Sequence, residues 1–322
     1  MDLNIVKFIQ KASCDFLDGV FSVITVMGET SMLFMMFAAI YLCYRKDFAV
    51  KYLFYFMLSG VVNMGVKGVF DRPRPYTQSG VLDVRHTTGH SFPSGHSQNI
   101  AIQSTMIGKE YCKIDKQFKH RLWVIIALAV VCVLVGLSRI YLGQHYLTDV
   151  LVGLVLGFGL VFVFDLLLKL VPAKIKKFVS VRALLLILLI PVMIAIAVIE
   201  YGEIGSEHLL VTFYTYLAIY LGTLIGYSID KTYIKYKESA IWYVQVIKIA
   251  ITCMGVALLT LAFRGISSEL VKSFSFYFAA TLYVTGVLPF VFNYMFKEKV
   301  TQNGELSGNK ENIDLVNNEN NN

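Results

Sequence analysis

The sequence predicts an all-α protein, a polytopic transmembrane helix bundle of about nine spans preceded by an interfacial amphipathic helix. Hydrophobic residues make up 56% of the chain against 16% charged, and mean hydropathy is +0.62, outside the balance of soluble domains. Apolar runs near the ~20 residues that a bilayer crossing requires recur along the chain. Lys and Arg gather in the short segments between those runs, which gives the bundle an orientation.

Residues 1–28 place Ile5, Phe8, Ile9 and Phe16 at helical spacing, while Asp15 and Asp18 argue against a buried span. The segment reads as one helix lying in the interface, and it lacks the basic patch and apolar core of a cleavable signal peptide. Spans are then expected at 30–44, 49–66, 95–112, 122–138, 146–168, 183–199, 208–229, 241–263 and 273–296. The third carries Ser97, Gln98, Asn99, Gln103 and Ser104, so it should line the bundle interior or a site. Ser94 can cap its start, with Pro93 just ahead. Segment 169–182, with Pro172 and four Lys, divides a first bundle (29–170) from a C-terminal four-span bundle (183–296) of unassigned role. The Asn- and Glu-rich stretch 297–322 is too polar to bury a core and is expected to be a disordered cytoplasmic tail.

The net charge of +7 would suggest nucleic acid for a soluble protein. Here the basic residues of 45–51, 109–121, 169–182 and 230–240 all fall on one side of the membrane, which becomes the cytoplasmic side. Topology therefore accounts for the charge, and no nucleic-acid partner is expected. The opposite side has Glu200, Glu203 and Glu207 in one loop with no Lys or Arg. Its one basic concentration runs from Lys67 to Arg85, against the topological bias, and anion binding explains it. The five cysteines have neither metal nor disulfide spacing.

Three segments at outer span ends gather the reactive side chains: KGVFDRPRP (Lys67 to Pro75), SFPSGHS (Ser91 to Ser97) and SRIYLGQHYLTD (Ser138 to Asp149). His145 and Asp149, four apart at the start of a span, share a helix face. A carboxylate there can fix the imidazole tautomer and leave the other nitrogen as nucleophile or base. Arg139 lies six residues earlier, and a tight turn through Gly143 would aim both at one anion. Ser94, Gly95 and His96 begin a helix whose free N–H groups suit phosphate, with His96 placed to protonate a leaving oxygen. Lys67 supplies a point charge and Arg74 a planar fork.

Together the segments fit K-x6-RP, PSGH and SR-x5-H-x3-D, and over residues 30–170 the chain resembles the phosphatidic acid phosphatase type 2 superfamily, which includes lipid phosphate phosphatases, undecaprenyl pyrophosphate phosphatases and vanadium haloperoxidases. The resemblance implies a phosphohistidine on His145, oriented by Asp149, with His96 as general acid. It implies a phosphate cradle of Lys67, Arg74, Ser94, Gly95 and Arg139, and neither metal nor other cofactor. The expected protein is a multi-pass plasma-membrane phosphatase with an extracytoplasmic site, acting on a lipid phosphate or diphosphate such as undecaprenyl pyrophosphate, phosphatidylglycerol phosphate or phosphatidic acid.

Alternatives are a lipid phosphotransferase using a hydroxyl acceptor, and a transporter or flippase whose C-terminal bundle is fused to a phosphatase. Arg72 and Arg85 are as well explained by headgroup or solvent contact as by the site. His86 and His90 beside His96 invite a zinc reading, which the missing Asp, Glu or Cys at ligand spacing opposes. Asp165 with Lys169 reads as a structural pair, and Lys248 as a snorkelling cation.

Overall fold

The computed structural model describes residues 2–115, 118–170 and 207–296, and no strand occurs among the described residues. The helices are α1 (Asp2–Gln10), α2 (Asp15–Val26), α3 (Thr30–Cys43), α4 (Lys46–Phe70), α5 (Gly95–Ile114), α6 (Phe118–Tyr141), α7 (Leu147–Leu170), α8 (Glu207–Ile229), α9 (Trp242–Phe263), α10 (Glu269–Leu282) and α11 (Leu288–Met295). A 3-10 turn covers Pro75–Thr77, and π-helical turns at Asp230–Ile234 and Tyr283–Val287 extend α8 and join α10 to α11. Among the described residues six helical runs are long and apolar enough to cross a membrane, or seven if the bent pair α2–α3 counts as one. The protein is thus a multi-span integral membrane protein, and the described residues account for six or seven of the nine expected spans by this measure. The run 183–199 and the tail 297–322 lie outside the described residues. Helix α5 forms as expected, but its polar residues keep it off the apolar set.

Residues 1–28 depart from the expected single helix. They form two helices, and α2 continues past a 48° bend into α3. At 14 residues, α3 spans only about 21 Å, short of the ~30 Å hydrocarbon core. One of the two carboxylates that argue against burial has a partner, because the Tyr141 hydroxyl donates to Asp18 Oδ1 at 2.5 Å. Helix α1 is also anchored: Val6 is fully buried with Ile140, Tyr146 and Val150. The Gln10 amide donates to the carbonyls of Leu82 and Tyr141 and accepts from the Leu82 N–H.

The described chain forms two compact units. The first comprises residues 1–36 and 51–180. In it α7 lies directly on the backbone of α5: a Cβ on Gly153 would stand 2.5 Å from the Ser94 carbonyl oxygen, and one on Gly157 2.4 Å from that of Gln98. The polar face of α5 is turned inward. Gln98 donates to Ser59 Oγ and to the Ser59 carbonyl and accepts from Asn63, and Tyr52 donates to Gln103. At the far end of this unit Asp165 takes Lys51, Lys109 and the Tyr55 hydroxyl, partners from two other helices that its spacing to Lys169 did not indicate.

The second unit comprises residues 37–50 and 181–322, and so claims a stretch that the boundary at 169–182 leaves in the first bundle. The reason is a buried polar cluster. Asp230 accepts from the Tyr41 hydroxyl at 2.9 Å, pairs with Lys46 at 3.0 Å and accepts from the Tyr236 N–H, while the Tyr236 hydroxyl donates to the Leu42 carbonyl. Lys248 is fully buried rather than snorkelling, and its ammonium donates to the Glu238 carbonyl at 3.1 Å. Gly222 and Gly226 on α8 leave room for Thr281 and Thr285.

Candidate active site

Helix α6 ends at Tyr141, and the chain reverses through Gly143 at φ +75°. A side chain there would be strained, and its Cβ would stand 2.2 Å from the Leu82 carbonyl oxygen. The turn folds back so that the N–H groups of Gln144 and His145 both donate to the Arg139 carbonyl. His145 is thereby seated at the entry to α7, 1% exposed. Its Nε2 lies 3.5 Å from Arg74 Nη1, and its Nδ1 lies 3.6 Å from Asp149 Oδ2. Burial first, then the charges of Arg139, Arg74 and Lys67, push the His145 imidazole well below its usual range. The neutral ring facing a guanidinium donor has its lone pair at Nε2, which assigns the proton to Nδ1 on the Asp149 side.

Asp149 is fully buried and held from three directions. Arg72 Nη1 reaches Oδ1 at 2.7 Å. The Tyr146 N–H donates to Oδ2 at 2.8 Å, and the Ser91 hydroxyl donates to the same oxygen. Arg72 also contacts Thr148 and Asp2 and lies 4.0 Å from the Tyr146 ring centroid. A residue whose role the motif left open therefore fixes the carboxylate beside His145.

The predicted cradle residues gather around this pair. Arg74 is buried, its Nε, Nη1 and Nη2 donating to the carbonyls of Gly89, Gln144 and Thr88. Arg139 donates to Thr25 Oγ1 at 3.0 Å, while its buried Nε has no partner among the described residues. Ser94 caps α5, accepting from the Ser97 N–H, and donates its own N–H to the Asp149 carbonyl, which ties the two helix entries together. Gly95 and His96 follow in the first turn of α5, and His96 is within electrostatic reach of Arg139, His145, Lys67 and Arg74. The bend after α2 presses on this turn, since a Cβ on Gly28 would stand 2.8 Å from the His96 carbonyl oxygen. The arrangement joins a neutral buried imidazole, a second histidine, three cations and a helix N-terminus, a set suited to a tetrahedral oxyanion.

The remaining residues of the segment between α4 and α5 have other tasks. Arg85 bonds Glu29 and the Ser22 carbonyl and so braces the α2–α3 bend. His86 pairs with Asp83 and His90 with Asp71. Thr25, Ser91, Arg72 and Thr87, whose hydroxyl accepts from Arg139 Nη2 at 3.5 Å and donates to Gln144 Oε1 at 2.6 Å, support the site without belonging to its motifs. Only Ser91 and Arg72 carried a sequence signal, through adjacency to PSGH and RP.

The PAP2 superfamily model matches residues 48–170, and the model described as PAP2 superfamily phosphatase, transmembrane extension, matches 214–299. Phosphatidylglycerophosphatase B of Bacillus subtilis (strain 168) is 36% identical over 167 residues, covering 50% of this chain and 78% of that protein. The chain belongs to the PAP2 superfamily. As a PAP2 phosphatase it is a lipid phosphate hydrolase, and the PAP2 match contains Lys67, Arg74, His96, Arg139, His145 and Asp149. Among solved structures, a transmembrane PAP2-type phosphatidylglycerolphosphate phosphatase from Bacillus subtilis is 31% identical, covering 53% of this chain and 86% of that one with a TM-score of 0.46. LpxE of Aquifex aeolicus is 24% identical, covering 50% and 93% with a TM-score of 0.43.

Proposed function

We propose that the protein dephosphorylates a lipid phosphate or diphosphate on the extracytoplasmic face of the plasma membrane through a phosphohistidine on His145. The observation that carries this reading is the buried neutral imidazole with Nε2 toward Arg74 and Nδ1 toward Asp149. In the first step Nε2 attacks phosphorus and the P–O bond to the lipid breaks, the leaving oxygen taking a proton from His96. Lys67, Arg74, Arg139 and the Ser94–Gly95 backbone stabilise the equatorial oxygens. In the second step His96 accepts a proton from water as it attacks, the N–P bond breaks, and phosphate leaves with both histidines restored. Asp149, clamped by Arg72, stabilises the cationic ring between the steps.

The similarity to phosphatidylglycerophosphatase B makes phosphatidylglycerol phosphate the first substrate to test, beside undecaprenyl pyrophosphate and phosphatidic acid. Purified protein with a metal chelator present should release phosphate from at least one of them. His145→Ala should lower kcat by more than about 10³-fold, and rapid quenching of wild type should trap an acid-labile phosphoryl-protein. Full activity of His145→Ala would overturn the nucleophile. With an alcohol lipid added, free phosphate as the only phosphorylated product favours hydrolysis over phosphotransfer.

A further inference from the structure

Helix α5 runs away from His145 at about 1.5 Å per residue, which places Lys109 roughly 21 Å beyond Gly95 along its axis. Beside it α5, α6 and α7 leave a groove of about 440 Å³, lined by Gly108, Leu128, Ala129, Cys132, Phe158 and Phe162 among others. The groove opens outward, since Ile125 is 50% and Phe162 57% exposed. Lys109 also lines the groove, and its ammonium lies 4.6 Å from the centroid of the Phe162 ring in the groove wall. Lys109 and Lys51 share the single carboxylate of Asp165, and their side chains remain 34% and 38% exposed. Two ammonium groups on one carboxylate leave an excess positive charge beside an apolar channel.

We propose that this end of the first unit binds a membrane phospholipid with an anionic headgroup, one acyl chain in the groove and the phosphate on Lys51 and Lys109. A neutral lipid would fill the channel equally well but would leave the surplus cation unmatched. The site is distinct from the one at His145, lying at the other end of α5. Full-length protein, delipidated in neutral detergent, should be titrated in native mass spectrometry with dioleoyl phosphatidylglycerol, dioleoyl phosphatidylcholine and inorganic phosphate. Phosphatidylglycerol should bind about fivefold more tightly than phosphatidylcholine, the weight of one net cation. Lys51→Gln should remove that preference, and Gly108→Leu should weaken both lipids by filling the channel. Asp165→Asn, which adds a net positive charge, should tighten phosphatidylglycerol about fivefold, a gain that misfolding cannot produce. Equal binding of the two lipids, an unchanged Gly108→Leu variant, weaker binding in Asp165→Asn, or full competition by inorganic phosphate would each overturn the proposal.

Discussion

Asp149 is buried among an arginine, a hydroxyl and an amide, and Arg72 is the only one of the three that carries charge. Replacing it leaves a buried carboxylate without its cation, a loss of about 3 kcal/mol. Arg72→Leu is therefore expected to melt at lower temperature and to lose kcat more than it raises KM, while Arg72→Lys restores stability in part but not the fork. Thermal unfolding in detergent together with phosphate release checks both. His145 gives a second test. Its folded pKa lies below the unfolded value, so as pH falls through about 6.5 the unfolded chain takes up the proton first and stability declines. Nitrogen-15 NMR of the His145 ring should show a neutral imidazole protonated at Nδ1 at pH 6.5, and a ring half-protonated there would contradict the assignment. Lys67, Arg74, His96 and His145 were legible because short motifs carry them. Thr25, which donates no motif and meets Arg139 across 114 residues of sequence, was not, because nothing local announces a distant partner.

Close helix contacts set the site through backbone as much as through side chains. Gly153 and Gly159 occur on one helix, yet only the first faces α5: a Cβ on Gly159 would meet nothing within 4 Å among the described residues. Gly153→Ala should push against the Ser94 carbonyl and destabilise by about 1–3 kcal/mol, with reduced phosphate release because Ser94 caps the α5 entry. Gly159→Ala should be neutral or stabilise by up to about 1 kcal/mol through helix propensity. Thermal shifts of the two variants in parallel decide whether the contact or the propensity dominates. The polarity of α5 was readable as an inward face, whereas the α2–α3 bend was not. Hydropathy weighs Asp15 and Asp18 against burial and has no means of knowing that Tyr141 answers one of them.

The uneven distribution of Lys and Arg predicts which end of the bundle faces the cytoplasm. In a cysteine-free background on intact cells, a membrane-impermeant thiol reagent should label Gln78→Cys and leave Lys113→Cys unlabelled until the membrane is permeabilised. The reverse pattern would move the His145 site to the cytoplasmic face.

The division of the chain also has a consequence in time. Tyr41 and Asp230 are separated by 189 residues, so a ribosome moving at about 5–20 residues per second releases the second roughly 10–40 s after the first. During that interval the stretch 37–50 has emerged without the partners that bury it. Maturation of this protein in the membrane is then completed only after translation has passed residue 230, and arrested nascent chains ending near residue 200 should remain protease-sensitive around Lys46, while those ending beyond residue 300 should be protected.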